Sequence, residues 1–147
     1  MKFNKIVIGI IGLGYVGLPL AVSFAKKNQV IGFDSNKKRI NDLKNGLDIT
    51  FEVQKKSIRE AKNIIFSNNS KDLKKCNCFI VTVPTPINRI KNPDFSYLVS
   101  ASKLVGSVLK KGDVVIYEST VYPGATEEIC VPILEKKSNL IFNKDFF

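Results

Sequence analysis

Gly12, Gly14 and Gly17 stand at the spacing G-x-G-x-x-G, and Asp34 follows them. Each position suits one part of holding a diphosphate. Glycine at 12 permits a tight turn, at 14 it lets a pyrophosphate approach the backbone, and at 17 it lets the next helix pack closely on the strand before it. The N-terminus of that helix then turns unpaired N–H groups and the positive end of its dipole toward the anion, with no lysine required. A carboxylate about twenty residues on, at the end of a second strand, accepts hydrogen bonds from the ribose diol of adenosine, and its charge repels the extra phosphate of NADP. The pattern therefore points to NAD. Arg39 has three readings: it lies over the adenine, pairs with Asp34, or stands as an exposed helix cation. With Lys37 and Lys38 it keeps NADP open as a second cofactor. A glycine turn of purely structural purpose is the bland alternative for the whole motif.

Other chemistries find less support. The chain has 147 residues and no histidine, and Cys76, Cys78 and Cys130 do not match a zinc-ligand spacing. No metal is expected, and the three cysteines read as buried, reduced thiols of a cytoplasmic protein. Nothing near them supplies a base or a helix N-terminus to activate a nucleophile. The net charge of +10 raises nucleic acid and membrane surfaces as partners. The basic residues, however, fall in small groups such as Lys26 and Lys27, Lys74 and Lys75, and Lys136 and Lys137, without interleaved aromatics, and read as solvated helix ends. Neither partner is expected. The uncharged run from Ile6 to Ala25 is long enough for a membrane span, but four glycines and Pro19 break it into a strand, a turn and a helix start.

Hydrophobic residues make up 44% of the chain and charged residues 24%, a globular mixture at the length of one domain. Val7 to Ile11 and Val30 to Phe33 are short, apolar, β-branched runs that suit buried parallel strands. Asn63 to Phe66, Cys78 to Val83, Val114 to Tyr117 and Leu140 to Phe142 extend the series to six. Helices are expected from Gly17 to Lys27, from Ser35 or Asn36 to Gly46, after Asp94, and from Thr126 to Lys137 with an interruption at Pro132. Glu52 to Lys62 is weakly helical, and Ser70 to Lys75 reads as a polar connection. Strands alternating with helices give an α/β, three-layer, doubly wound parallel sheet of the Rossmann type, with six strands in the order 3-2-1-4-5-6. In that order the connections leaving strands one and four diverge and open a crevice. The loops at 12–17, 83–93 and 119–125 converge on it, which brings Thr85, Ser119 and Thr120 toward the nicotinamide end.

The segments IGLGYVGLPLA, VTVPTP and YESTVYPGATEE, in this order and at these separations, resemble the N-terminal, NAD-binding domain of the UDP-glucose/GDP-mannose dehydrogenase family. The forms VTVPTPI, YESTVYPG and FNKDFF are most similar to the branch acting on UDP-N-acetylglucosamine or UDP-N-acetylgalactosamine. The resemblance covers essentially the whole chain. It implies oxidation of a sugar C6 alcohol to a carboxylate with two NAD and an enzyme-bound thioester on a cysteine, supplying uronic acid precursors for surface polysaccharide. It further implies that Gly12, Tyr15, Val16 and Gly17 cradle the pyrophosphate and that Asp34 and Arg39 hold the adenosine. Thr82, Val83, Pro84 and Thr85 would run along the cofactor backbone, and Ser119 and Thr120 would border the nicotinamide, with Thr120 at the catalytic water.

The family's catalytic acids, cysteine, lysine and most substrate contacts follow a segment like 143–147. Cys76, Cys78 and Cys130 do not occupy the nucleophile's motif. Residues 1–147 are thus expected to be a truncated NAD-binding domain that binds cofactor without turnover, with the UDP-sugar held by parts beyond it and a homodimer formed at full length. The competing assignments are the nucleotide domain of a hydroxyacid-type dehydrogenase and a non-catalytic nucleotide-binding module.

Overall fold

The computed structural model describes residues 5–87 and 93–147. Its strands are β1 (Val7–Ile11), β2 (Gln29–Phe33), β3 (Ile64–Ser67), β4 (Cys78–Val81) and β5 (Val114–Tyr117). The helices are α1 (Gly17–Phe24), α2 (Lys37–Lys44), α3 (Lys55–Glu60), α4 (Ser96–Gly106) and α5 (Val131–Ser138). All the strand pairs are parallel and the order is β3-β2-β1-β4-β5.

The apolar strand runs make sense in this setting, because a central parallel strand buries both its faces. Ile8, Ile10, Val30, Phe66 and Ile80 face α1, α2 and α3, where they meet Leu18, Ala21, Ile40, Leu43 and Ile58. Ile11, Ile31, Phe33, Phe79 and Val81 face the opposite way, onto Leu98, Ala101 and Val105 of α4 and Leu134 of α5. The uncharged run from Ile6 is thereby spent on β1, the turn and α1. No helix among the described residues is long and apolar enough to cross a membrane.

Two expectations are corrected, the sixth strand and the placing of the lysines. The sheet has five strands, not six, because Leu140 to Phe142 forms no strand and makes a single bridge from Phe142 to Phe146. Asn139 ends α5 in the left-handed region (φ 57°) and Asn143 turns the chain again (φ 60°). Leu140 and Phe142 are drawn into the core beside the fully buried Phe146, with the two phenyl rings 5.7 Å apart. Apolar alternation specifies which side chains face inward; it supplies no strand to pair with. By backbone hydrogen bonds Phe147 meets the start of β5, its N–H donating to the Asp113 carbonyl (3.0 Å) and its carbonyl accepting from Val115 (2.7 Å).

The helix expected from Thr126 is a π-helical turn (Thr126–Cys130) followed by α5, with Pro132 in the first turn of α5. Proline has no N–H to donate back to the preceding turn, so the helix restarts there. Nor do the lysines all follow the dipole. Lys37 and Lys38 open α2 and Lys55 and Lys56 open α3, all exposed at the positive ends of those helices.

Candidate functional site

Between the carboxyl ends of β1 and β4 the chain leaves the sheet toward opposite faces, into α1 and toward α4, and the glycine turn sits in that crevice. Gly12 has φ +95°, a region that an L side chain rarely adopts, and its N–H donates to the Phe33 carbonyl at the end of β2. At Gly17 a Cβ would collide with the Gly12 carbonyl oxygen and lie 2.5 Å from the Thr82 hydroxyl oxygen. The same hydroxyl donates to the Gly12 carbonyl (2.7 Å), so the first turn of α1, the glycine turn and the start of the loop after β4 lock together. Gly14 differs: a Cβ there would meet nothing within 4 Å. The space in front of it is open.

Two adjoining clefts flank the turn and share Val83 and Pro84. One, of about 390 Å³, is lined by Gly14, Tyr15 and Val16, by the loop from Thr82 to Thr85, and by Glu118, Ser119 and Thr120. The other, of about 470 Å³ and largely apolar, runs from Ile11 and Gly12 past Asp34 to Tyr97, Ser100 and Leu104 of α4. A hollow of similar size, about 490 Å³, lies between α1 and α3 but contains neither the glycine turn nor a strand end.

Of the residues the sequence singles out, Gly12, Gly14, Tyr15, Val16, Asp34, Thr82, Val83, Pro84, Thr85, Ser119 and Thr120 line one cleft or both, and Gly17 and Arg39 line neither. Tyr15 and Val16 are 70% and 51% exposed, unusual for large apolar side chains at a structural turn. The far loops are tied together by side-chain hydroxyls. Thr85 donates to the Thr120 carbonyl (2.7 Å) and Ser119 to the Val83 carbonyl (2.6 Å). Of the 83–93 loop, residues 88–92 lie outside the described residues.

A dinucleotide suits these residues. No side chain caps α1, whereas Asn36 caps α2 by accepting from Lys38 and Arg39. Leu18 N–H already donates to the Gly14 carbonyl (3.2 Å) and Pro19 carries no N–H, so of the amides that open α1 it is that of Gly17 that is left for an acceptor from elsewhere. The Asp34 carboxylate accepts the Leu13 N–H on one oxygen (3.0 Å) and the Asn36 N–H on the other (2.9 Å). A carboxylate offers about four acceptor positions, so two remain for a vicinal diol.

Arg39 neither pairs with Asp34 nor stands as an exposed helix cation. It is buried, with Nε and Nη2 donating to the Leu13 carbonyl (2.9 and 2.7 Å) and Nη1 2.8 Å from Oδ1 of Asp48. Asp48 was not singled out by its sequence; the only signal was its place two residues before Thr50, a local side-chain to backbone turn. Burial alone would raise its carboxyl, but hydrogen bonds from the Thr50 hydroxyl, the Val53 and Thr50 amides and Arg39 outweigh that and bring it down to about 2. Tyr97, Ser100 and Leu104 are legible in the sequence as a helix but not as a cleft wall, and Glu118 carries no sequence signal of its own beside Ser119 and Thr120.

The cysteines stay out of the site. Cys76 and Cys130 are buried and Cys78 is half-buried, and all three are free thiols. Burial pushes Cys76 up to about 12 and raises Cys78 and Cys130 as well. No group of histidine, cysteine and acidic side chains among the described residues is placed to hold a metal ion.

Comparison with known proteins agrees with this geometry. The model of the UDP-glucose/GDP-mannose dehydrogenase family, NAD binding domain, matches residues 6–146. A UDP-N-acetyl-D-glucosamine 6-dehydrogenase of Pseudomonas aeruginosa is 61% identical over 140 residues, covering 95% of this chain and 33% of that protein. The enzyme of the same name from Salmonella typhi is 56% identical over 144 residues, covering 98% and 34%. Among solved structures, a UDP-D-ManNAc dehydrogenase from Pyrococcus horikoshii superposes with a TM-score of 0.85 at 34% identity, covering 96% of this chain and 34% of that one. The chain spans about a third of the length of the relatives it matches.

Proposed function

This chain belongs to the UDP-glucose/GDP-mannose dehydrogenase family as its NAD binding domain, and on that premise we propose that it serves the oxidation of a UDP-N-acetylhexosamine C6 alcohol to the uronate with two NAD. The observation that carries the cofactor part is the open space in front of Gly14, set between an uncapped helix N-terminus and a carboxylate with two acceptor positions left. The pyrophosphate would lie against the amides of the turn and of α1, the adenosine ribose on Asp34, and the adenine in the apolar cleft against Leu104 and Tyr97. The nicotinamide half would lie between Tyr15, Val16 and the hydroxyl-tied loops, with Thr120 next to the reacting centre. Bound NAD supplies the hydride acceptor.

The residues of this chain orient that acceptor. Tyr15 and Val16 exclude water from one side, and the Thr85 and Ser119 hydroxyls hold the Thr120 loop against the loop after β4. The substrate reading follows the relatives' names, and its supports are the high identity to two UDP-N-acetyl-D-glucosamine 6-dehydrogenases and the motifs YESTVYPG and VTVPTP. The thiols here are protonated and sheltered, so none of them is the thioester nucleophile. We place the protein in the cytoplasm, as a homodimer at full length, with neither nucleic acid nor membrane as a partner.

Titration calorimetry of the 147-residue chain with NAD, NADP and ATP tests the reading. NAD should bind tightest, and addition of UDP-N-acetylglucosamine should produce no NADH absorbance. Equal affinity for NAD and ATP, or no binding of NAD, would remove the assignment.

A further inference from the structure

Arg39 and Asp48 form the only ion pair among the described residues in which both side chains are nearly closed to solvent, at 6% and 2% exposure. Taking two charges out of water costs at least about what their attraction returns, so a buried pair at the edge of a site calls for a reason beyond stability. The other edge of the guanidinium supplies one. Nε and Nη2 both donate to the carbonyl of Leu13, the residue between Gly12 and Gly14.

That carbonyl shares a planar, trans peptide with the N–H of Gly14. Fixing the oxygen on one side fixes the direction of the Gly14 N–H on the other. Arg39 therefore holds the carbonyl end of the Leu13–Gly14 peptide and Asp34 holds the Leu13 N–H, so the residue is clamped at both ends. Asp48 is itself immobile, since its two oxygens also accept from the Thr50 hydroxyl and from the amides of Thr50, Glu52 and Val53, at 2.7 to 3.0 Å.

We propose that Asp48 is a positioning residue for the dinucleotide: through Arg39 it aims the Gly14 amide at the pyrophosphate, and it keeps the Arg39 guanidinium away from the place where a 2′-phosphate on the adenosine would sit. The inference rests on the cofactor reading above and adds a second source of preference for NAD. Asp34 repels the extra phosphate, and Asp48 withholds the Arg39 guanidinium from it.

The test is a set of NAD and NADP titrations on the wild-type chain, Asp48→Asn, Arg39→Met and the double variant, each at a temperature well below its melting point. Each single change should weaken NAD by about tenfold or more, the loss of roughly one hydrogen bond to an anion. The double variant should bind no more weakly than the weaker single one, because Asp48 acts through Arg39. In Asp48→Asn the freed guanidinium should raise NADP affinity relative to NAD, a ratio that a merely structural role would leave alone. Arg39→Lys guards against misfolding: it keeps a cation opposite Asp48 and loses the fork on Leu13, so NAD should weaken while the melting temperature stays near wild type. Losses that multiply in the double variant, an unchanged NADP to NAD ratio, or wild-type affinity in a folded Arg39→Lys would each overturn the proposal. If the wild type binds no NAD, the cofactor reading fails and this inference with it.

Discussion

Gly14→Ala separates binding from stability in this turn. A Cβ at Gly14 meets no heavy atom within 4 Å, and Gly14 is not among the glycines with positive φ. The folded chain accommodates the methyl, and the unfolded chain loses conformational freedom, so stability should hold or rise by about 0.5 to 1 kcal/mol. The methyl projects into the space assigned to the pyrophosphate. Displacing the diphosphate from one charge-assisted amide contact removes about 2 kcal/mol of binding, or roughly a thirty-fold rise in Kd.

Gly17→Ala is the counterpart. Its Cβ would collide with the Gly12 carbonyl and crowd the Thr82 hydroxyl, both part of the locked turn. Overpacking of about 1 to 3 kcal/mol plus a lost hydrogen bond of about 1 kcal/mol gives a penalty of about 2 to 4 kcal/mol. At this chain length that is a fall of roughly 5 to 15 °C in Tm. Thermal unfolding by circular dichroism and NAD titration on the same preparations measure both effects. If Gly14→Ala binds NAD as the wild type does, the diphosphate is not at this turn; if Gly17→Ala melts with the wild type, the packing described at the turn is wrong.

Asp34→Ala should weaken NAD more than NADP in parallel titrations, since it removes both the diol acceptor and the charge that opposes a 2′-phosphate; equal losses would detach the carboxylate from the ribose. Acid should destabilise the chain through Asp48. Its carboxyl is held near 2 in the folded state against about 3.9 when unfolded, so its contribution of about 2.5 kcal/mol is present above pH 4 and is lost as pH falls through 2. In urea titrations Asp48→Asn should flatten the stability profile over that window, and an unaltered slope would count against the assignment. A maleimide at pH 7 should leave the buried Cys76 and Cys130 unmodified in the folded chain and label all three cysteines in denaturant, read by intact mass; rapid labelling of Cys76 or Cys130 without denaturant would contradict their burial.

The strand, turn and helix from Val7 to Phe24 were legible because glycines and β-branched residues there act through local sterics, and local sterics are written in residue type. The doubly wound order followed from the alternation of strands and helices. What stayed hidden depends on partners distant in sequence. A charged residue in a surface-like helix gives no local sign that it is buried, so Arg39 could not be placed beneath the turn, and Asp48 could be read only as a turn former. The triplet Leu140 to Phe142 has the character of a strand, but the fully buried Phe146 and two left-handed asparagines draw it into the core. Tyr97 stands at helical spacing with Leu98, Ala101 and Val105 on α4, yet it is 51% exposed on the cleft wall: helical periodicity gives a stripe, and only the sheet beneath decides where that stripe stops.

The parallel sheet ends in two margins, β3 and β5, and each shows an isoleucine to solvent, Ile65 at 47% and Ile116 at 38%. Beyond the bonds from Phe147 to Asp113 and Val115, the outer side of β5 faces no described strand. Such a border is a template for any extended polypeptide. Concentrated preparations of these 147 residues will therefore tend to self-associate along this border, and a lysine in place of Ile116 is the modest alteration that would keep them dispersed.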